Sequence, residues 1–442
     1  MTTYWCSLAW LGGPRPEQGV EIEVEAGRIS AVSEGGQAPS RDGRHLHGLT
    51  LPGLANAHSH AFQRALRGRA QGDRGSFWTW REQMYALAER LDPDGYLALA
   101  RATYAEMALA GITTVGEFQY LHHGPGGAPY DDPNEMGRTL IAAAADAGIR
   151  LTLIDCCYLH GGIGEEPDGA QRRFSDGSAE AWAARVDELD ESESVRIGAA
   201  IHSMRAVDPD AAAVVAAWAR ERDRPLHAHV SEQPAENEAC LEAYGRTPTA
   251  LLAGAGALEA SFTAVHATHL DDADVAALGA AAACCCVCPT TERDLADGIG
   301  RMRRLVDAGA SLSLGSDSHA VIDMFEEARA VELDERLASG ERGHHTSAAL
   351  MRAASEDGHA CLGWPDAGRI EPGARADLVT VSLESVQLAG GSSEHALDSV
   401  VFAGGARDVR HVLVDGREVV VDGRHTSIDA AEHHEAILRA IE

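Results

Sequence analysis

The sequence predicts an α/β fold: a (β/α)8 barrel of the TIM type, joined to a small β-sandwich built from both chain ends. Three observations predict it. Eight short apolar runs alternate with Ala-rich helical stretches through the centre of the chain. Both ends alternate apolar and polar residues around hairpin turns. Reactive polar residues gather at the C-terminal tips of the central runs. Continuous apolar strands alternating with helices form parallel sheets. Eight such units close into a barrel whose active face lies at the strand C-termini.

The elements follow in order. Val20–Ser33, "VEIEVEAGRISAVS", reads as two strands with a turn at Ala26-Gly27. The eight central runs are "LPGLANAH", "ITTVGEF", "RLTLIDCCYLH", "VRIGAAIHS", "PLHAHV", "FTAVHATH", "AAACCCVCP" and "SLSLGSDSH". Helical segments such as Gly95–Gly111 and Asp208–Asp223 lie between them. "ADLVTVSL" and "VRHVLVDGREVVVDGRH" return to β-structure, with a hairpin at Asp415-Gly416. The expected organisation is residues 1–50 for the first part of the sandwich, 51–367 for the barrel, and 368–442 for the rest of the sandwich.

A chain of 442 residues accommodates a barrel, which takes ~250 residues. The net charge of −31 argues against nucleic acid or an anionic membrane as partner, since both need basic patches. No apolar run reaches the ~18 residues of a membrane span. The N-terminus lacks a basic segment followed by a long apolar one, so no signal peptide is expected. A cytoplasmic location follows as an expectation. The chain contains no Lys, so all 37 Lys+Arg residues are Arg. That excludes a Schiff-base lysine, a P-loop lysine and a lysine-derived metal bridge. Four of nine Cys form "CCCVC" (Cys284, Cys285, Cys286, Cys288). With no second CxxC, this run reads as a buried strand of structural thiols.

The strand tips carry His58 and His60, Glu117, Tyr158 and His160, His202, His229, His266 and Asp317. His58 and His60 are two apart, so both imidazoles face one side of a strand end. An isolated HxH pair reads as well as two solvated loop residues. His229, His266 and Asp317 each end a separate strand, and the five together supply N and O ligands suited to Zn2+. Fe2+ or Mn2+ also suits such a donor set. Glu232 follows His229 by three residues. It reads either as a general acid/base beside the metal or as an acid at a helix start capped by Ser231. His227 faces inward and reads as a packed group.

"PGLANAHSH", "HAHVSEQ", "VHATH" and "GSDSH" resemble, in order and spacing, the amidohydrolase superfamily, specifically its mononuclear deaminases. "ANAHSHAFQRAL", "SFWTWREQMY", "TTVGEFQYLHH", "QRRF", "HSMRAV" and "CPTTERDLADGI" are similar to a narrower group within it, the formimidoylglutamate deiminases of histidine degradation. One departure is Gln119, which stands where that family is expected to carry His.

The resemblance implies one Zn2+ held by His58, His60, His229 and Asp317. It implies hydrolysis of N-formimidoyl-L-glutamate to N-formyl-L-glutamate and ammonia, with zinc-bound hydroxide attacking the formimidoyl carbon. His266 would orient or deprotonate the water, Asp317 would help accept its proton, and Glu232 would shuttle protons to the leaving nitrogen. The substrate carries two carboxylates, which call for planar bidentate donors. Arg81 and Arg205 are the candidates, with Gln63, Tyr120 and His202 as further contacts. Arg172 and Arg173 are weaker candidates, and His122, His123 and His319 are supporting groups. A homodimer is expected, as the commonest oligomer. The alternative is a mononuclear deaminase of a nucleobase or related heterocyclic amine.

Overall fold

The computed structural model describes residues 1–35, 44–72 and 75–441. Its first four strands are β1 (Thr2–Ala9), β2 (Glu17–Glu25), β3 (Arg28–Ser33) and β4 (Arg44–Pro52). The next eight are β5 (Leu54–Ser59), β6 (Ile112–Gln119), β7 (Arg150–Cys157), β8 (Val195–Ile201), β9 (Leu226–Val230), β10 (Phe262–His266), β11 (Cys284–Val287) and β12 (Ser311–Leu314). The last four are β13 (Leu378–Val381), β14 (Val409–Val414), β15 (Arg417–Val421) and β16 (Arg424–His425). Strands β5 to β12 pair in sequence order, all parallel, with helices between them. This is the eight-stranded barrel, and each of the eight apolar runs supplies one strand. Every residue of β5, β6 and β7 is buried, as a strand covered by helices outside and packed core inside requires.

The other strands form the second sheet, in the order β16-β15-β14-β13-β4-β1-β2-β3. All its pairings are antiparallel except β1 with β4. Its core is Tyr4, Cys6, Val20, Ile22, Leu46, Leu378 and Leu413, so both chain ends contribute to one small sandwich. The hairpin turns lie where the sequence places them. Ala26 and Gly27 have φ of 48° and 79°, and Asp415 and Gly416 have 48° and 71°. Two consecutive positive φ values suit the right-handed twist of the flanking strands.

The barrel closes between β5 and the end of β12. Ser59 pairs with Asp317 across the seam. The Asp317 N–H donates to His58 O at 3.0 Å, and the His60 N–H donates to Asp317 O at 3.1 Å. The Asn56 amide and Ser316 exchange two further bonds, of 2.7 and 2.9 Å. Gly315 is required here, because a Cβ would lie 2.8 Å from His58 Cβ and 2.9 Å from His58 O. The Cys run is strand β11, and Cys284, Cys285, Cys286 and Cys288 are buried free thiols. Among the described residues no helix is long and apolar enough to cross a membrane.

Arg150, on β7, is fully buried and joins the two sheets. Its guanidinium pairs with Asp377, beside β13, and with Asp415 in the β14–β15 turn. Removing one partner from a buried ion pair strands the other charge, which costs about 3–5 kcal/mol. Arg150→Met is expected to lose stability of that order in denaturant unfolding. An unchanged midpoint would show that the pair does not hold the sheets together.

Candidate metal centre and active site

Side chains at the tips of β5, β9, β10 and the β12 loop converge on one centre. His58 Nε2 lies 3.2 Å from His229 Nε2 and 3.4 Å from Asp317 Oδ1. His60 Nε2 is also 3.4 Å from Asp317 Oδ1. Two overlapping sets, His58/His229/His266 and His58/His60/Asp317, each bring their donor atoms within 4.8 Å of one another. The far nitrogens of two rings are tied to backbone carbonyls: His60 Nδ1 to Phe118 O at 3.0 Å and His229 Nδ1 to His202 O at 2.8 Å. A carbonyl only accepts, so each Nδ1 carries the proton and each Nε2 presents a lone pair inward.

Burial keeps these imidazoles neutral. It lowers His58 and His229, and takes His60 down to about 3. Burial alone would raise the Asp317 carboxyl, but its contact with His58, and then the charge favoured on His266, outweigh it and hold Asp317 ionised. Close approach of neutral His58 and His60 to Asp317 is therefore a cage of donors rather than a set of ion pairs. Two inward lone pairs, the neighbouring His58 Nε2 and one carboxylate fit a divalent cation of the Zn2+ type.

The backbone is strained where these groups emerge. His266, Ala267, Ser231, Asp317 and His319 have φ between 43° and 67°. Non-glycine residues seldom hold this conformation, and it concentrates at functional turns.

His266 Nε2 faces Asp317 Oδ2 at 3.7 Å and Glu232 Oε1 at 3.8 Å. Burial opposes a charge on His266, but Glu232 and Glu292 outweigh it and raise the ring well above its ordinary value. Burial also raises the Glu232 carboxyl, against the pull of His266 and Arg205. The arrangement can hold or move a proton between His266 and Glu232.

A cavity of about 270 Å3 opens beside this centre. Its wall includes Gln63, Arg81, Tyr120, His202, Arg205 and Glu232. The Gln63 amide donates to Tyr120 Oη at 2.9 Å. His202 is held neutral by burial and by the charge of Arg205. Arg81 lies on the helix Phe77–Ala88, its guanidinium carbon 4.5 Å from the Trp78 ring centroid and 5.5 Å from that of Tyr85. Arg205 lies over Phe77 at 5.7 Å and donates to Glu232 Oε2 at 3.4 Å. Burial opposes its charge, but Glu236 and Glu232 hold it protonated.

Other expectations are placed elsewhere. Ser231 does not cap the next helix, which begins at Pro234 after Gln233. Ser231 is instead spent on the left-handed turn that carries Glu232 inward. Gln119 is buried behind the cavity wall, where it accepts from Tyr96 Oη and donates to Leu121 O. The departure at Gln119 therefore does not alter the cavity surface. Arg173 binds three backbone carbonyls, and Arg172 is exposed on Asp168. His122 and His123 belong to a separate buried network with Asp155, Asp176 and Arg185. His319 does support the centre, bonding Ser59 Oγ at 3.1 Å and Ser316 Oγ at 2.9 Å. His227 bonds Cys361 O and is a packed group. Sequence reasoning missed Glu292 on His266, Glu236 beside Arg205, and the aromatic wall of Phe77, Trp78, Trp80 and Tyr85.

Metal analysis tests which of these side chains would hold the ion. His229→Ala and Asp317→Asn are expected to lose bound zinc on desalting, whereas His266→Asn and Glu232→Gln keep it. Zinc loss from His266→Asn would move that residue into the ligand set.

The sequence profile of the amidohydrolase family matches residues 49–419. Formimidoylglutamate deiminase of Pseudomonas aeruginosa is 38% identical over 413 residues, covering 90% of each chain. The crystal structure of an amidohydrolase from Brucella melitensis superposes with a TM-score of 0.91 at 33% identity, covering 100% of this chain and 99% of that one. An adenosine deaminase from Xanthomonas campestris, solved with bound zinc, superposes with a TM-score of 0.85 at 23% identity, covering 99% of this chain and 97% of its own. That last likeness is one of fold. With the profile spanning most of the chain and the donor cluster at the mouth of its barrel, the protein belongs to the amidohydrolase family and is a hydrolase acting on C–N bonds.

Proposed function

We propose that this enzyme hydrolyses N-formimidoyl-L-glutamate to N-formyl-L-glutamate and ammonia, a reaction of histidine degradation, with Zn2+ held by His58, His60, His229 and Asp317. One observation carries the reading: the two guanidinium groups on the wall of the cavity beside the donor cluster. Arg205 has a buried Nε–H with no hydrogen-bond partner among the described residues. An unmatched buried donor is costly, and a substrate carboxylate would satisfy it. Arg81 and Arg205 together suit a dianionic substrate, in a chain whose net charge of −31 would otherwise repel one. The similarity to formimidoylglutamate deiminase of Pseudomonas aeruginosa supports the same substrate.

Bound at this centre, Zn2+ supplies a Lewis acid that makes water nucleophilic near neutral pH. The chain's own residues do the rest. Arg81 and Arg205 bind the two carboxylates, and Gln63, Tyr120 and His202 orient the chain between them. His266 orients the attacking water from Nε2, and the ionised Asp317 carboxylate beside it accepts the proton. Glu232 carries a proton to the departing nitrogen, because ammonia leaves far more readily than amide ion. The raised Glu232 pKa suits that donor role.

The aromatic wall supports a second reading, deamination of a heterocyclic amine stacked on the rings. Two of the rings, Trp78 and Tyr85, already lie against Arg81. That favours rings that back a carboxylate clamp.

Ammonia release from N-formimidoyl-L-glutamate, compared with adenosine, guanine and cytosine, decides between the readings. Release from formimidoylglutamate alone, lost on chelation, is expected. Release from a heterocycle alone would overturn the substrate. Arg81→Met is expected to raise KM about ten- to a hundredfold with little change in kcat, the cost of one charged hydrogen-bond set. Glu232→Gln is expected to lower kcat by about 10^2–10^4, with KM little changed.

A further inference from the structure

We propose that Glu292 is a positioning residue for the reaction, acting through His266. This rests on the catalytic role given to His266 above. Glu292 Oε1 lies 3.2 Å from His266 Nδ1 and also accepts the Cys288 backbone N–H at 2.9 Å. Both partners are buried, Glu292 at 5% exposure and His266 at 1%. The same oxygen accepts from Cys288, so the ring nitrogen facing it is the donor. His266 Nδ1 is thereby committed, and Nε2 is left to face Glu232 and Asp317. A role for Nε2 at the reacting water needs the ring held in that orientation.

Glu292 is itself held firmly. It lies in the short helix Pro289–Leu295, which follows β11. The Thr290 N–H and hydroxyl both donate to buried Glu327 on the helix Met324–Ser339, at 2.9 and 2.5 Å. The helix that carries Glu292 is therefore anchored to a separate helix of the barrel wall. His266, Cys288 and Glu292 are also close enough to share an ion. The Nδ1 contact and the Cys288 N–H already engage the same Glu292 oxygen, which assigns the cluster to orientation.

The test uses the zinc-loaded full-length enzyme with N-formimidoyl-L-glutamate. Glu292→Leu should lower kcat about 10–100-fold, the usual effect of losing an orienting partner, with KM and zinc content unchanged. Glu292→Gln retains an oxygen at the same reach and should stay within about tenfold of wild type. Glu292→Asp withdraws the oxygen while keeping the charge, and should behave like Leu. On a His266→Asn background, Glu292→Leu should cost nothing further. In 15N-histidine spectra, a slowly exchanging ring N–H assigned to His266 should vanish in Glu292→Leu and persist in Glu292→Gln. An unchanged kcat in both Leu and Asp variants, a further loss on the His266→Asn background, or zinc loss would overturn the proposal. A ring N–H that persists in Glu292→Leu would also overturn it. The spectra need no substrate, so failure of the wild type to release ammonia would sink the substrate assignment and leave this test standing.

Discussion

The active face depends on one closure: the backbone of Asp317 bonded between His58 and His60. A parallel barrel needs its last strand to meet its first, and here the meeting point is the polar tip of both. Closing the sheet therefore sets three of the inward donors in register before any cation arrives. Gly315 allows the approach, and Asn56 with Ser316 satisfies the polar groups beside it. His229 enters from β9 and His266 from the tip of β10, the latter at positive φ.

Burial then sets the chemistry. Burial disfavours charge on His58, His60 and His229, while contact with His58 and the charge favoured on His266 keep the Asp317 carboxylate ionised. His266 differs from the other rings because Glu232 and Glu292 flank it and favour its charged form. In the proposed mechanism residues of one type thus divide between holding an ion and serving the reacting water, according to which carboxylates face them. Further along the cavity Arg205 meets Glu232, so the proposed anion-binding and proton-transfer ends share a contact.

Much of this is legible in the sequence, for physical reasons. A strand buried on both faces must be an apolar run, and its polar tip stands out against it, as in "PLHAHVSEQ" or "FTAVHATH". Hairpins at Ala26-Gly27 and Asp415-Gly416 announce themselves through the glycine in each turn, which takes positive φ freely. What could not be read depends on contacts distant in sequence. Glu292 reads as one acid in "CPTTERD", and only the return of its carboxylate to Cys288 and His266 gives it a place. Ser231 looks like a helix cap until the chain turns through it. Arg205 and Glu232 lie on different strand tips, so their contact follows from barrel curvature rather than local spacing. The pairing of β4 with β13 sets Thr50 opposite Thr380, joining segments hundreds of residues apart, which no local pattern encodes.

The most direct test of the central claim is anomalous diffraction at the zinc edge from crystals of the zinc-loaded enzyme. The account predicts zinc bonded to Nε2 of His58, His60 and His229 and to the Asp317 carboxylate, with His266 outside the ligand set and still bonded to Glu292. Zinc ligated by His266 in place of His60, or bound away from the β5–β12 seam, would contradict it.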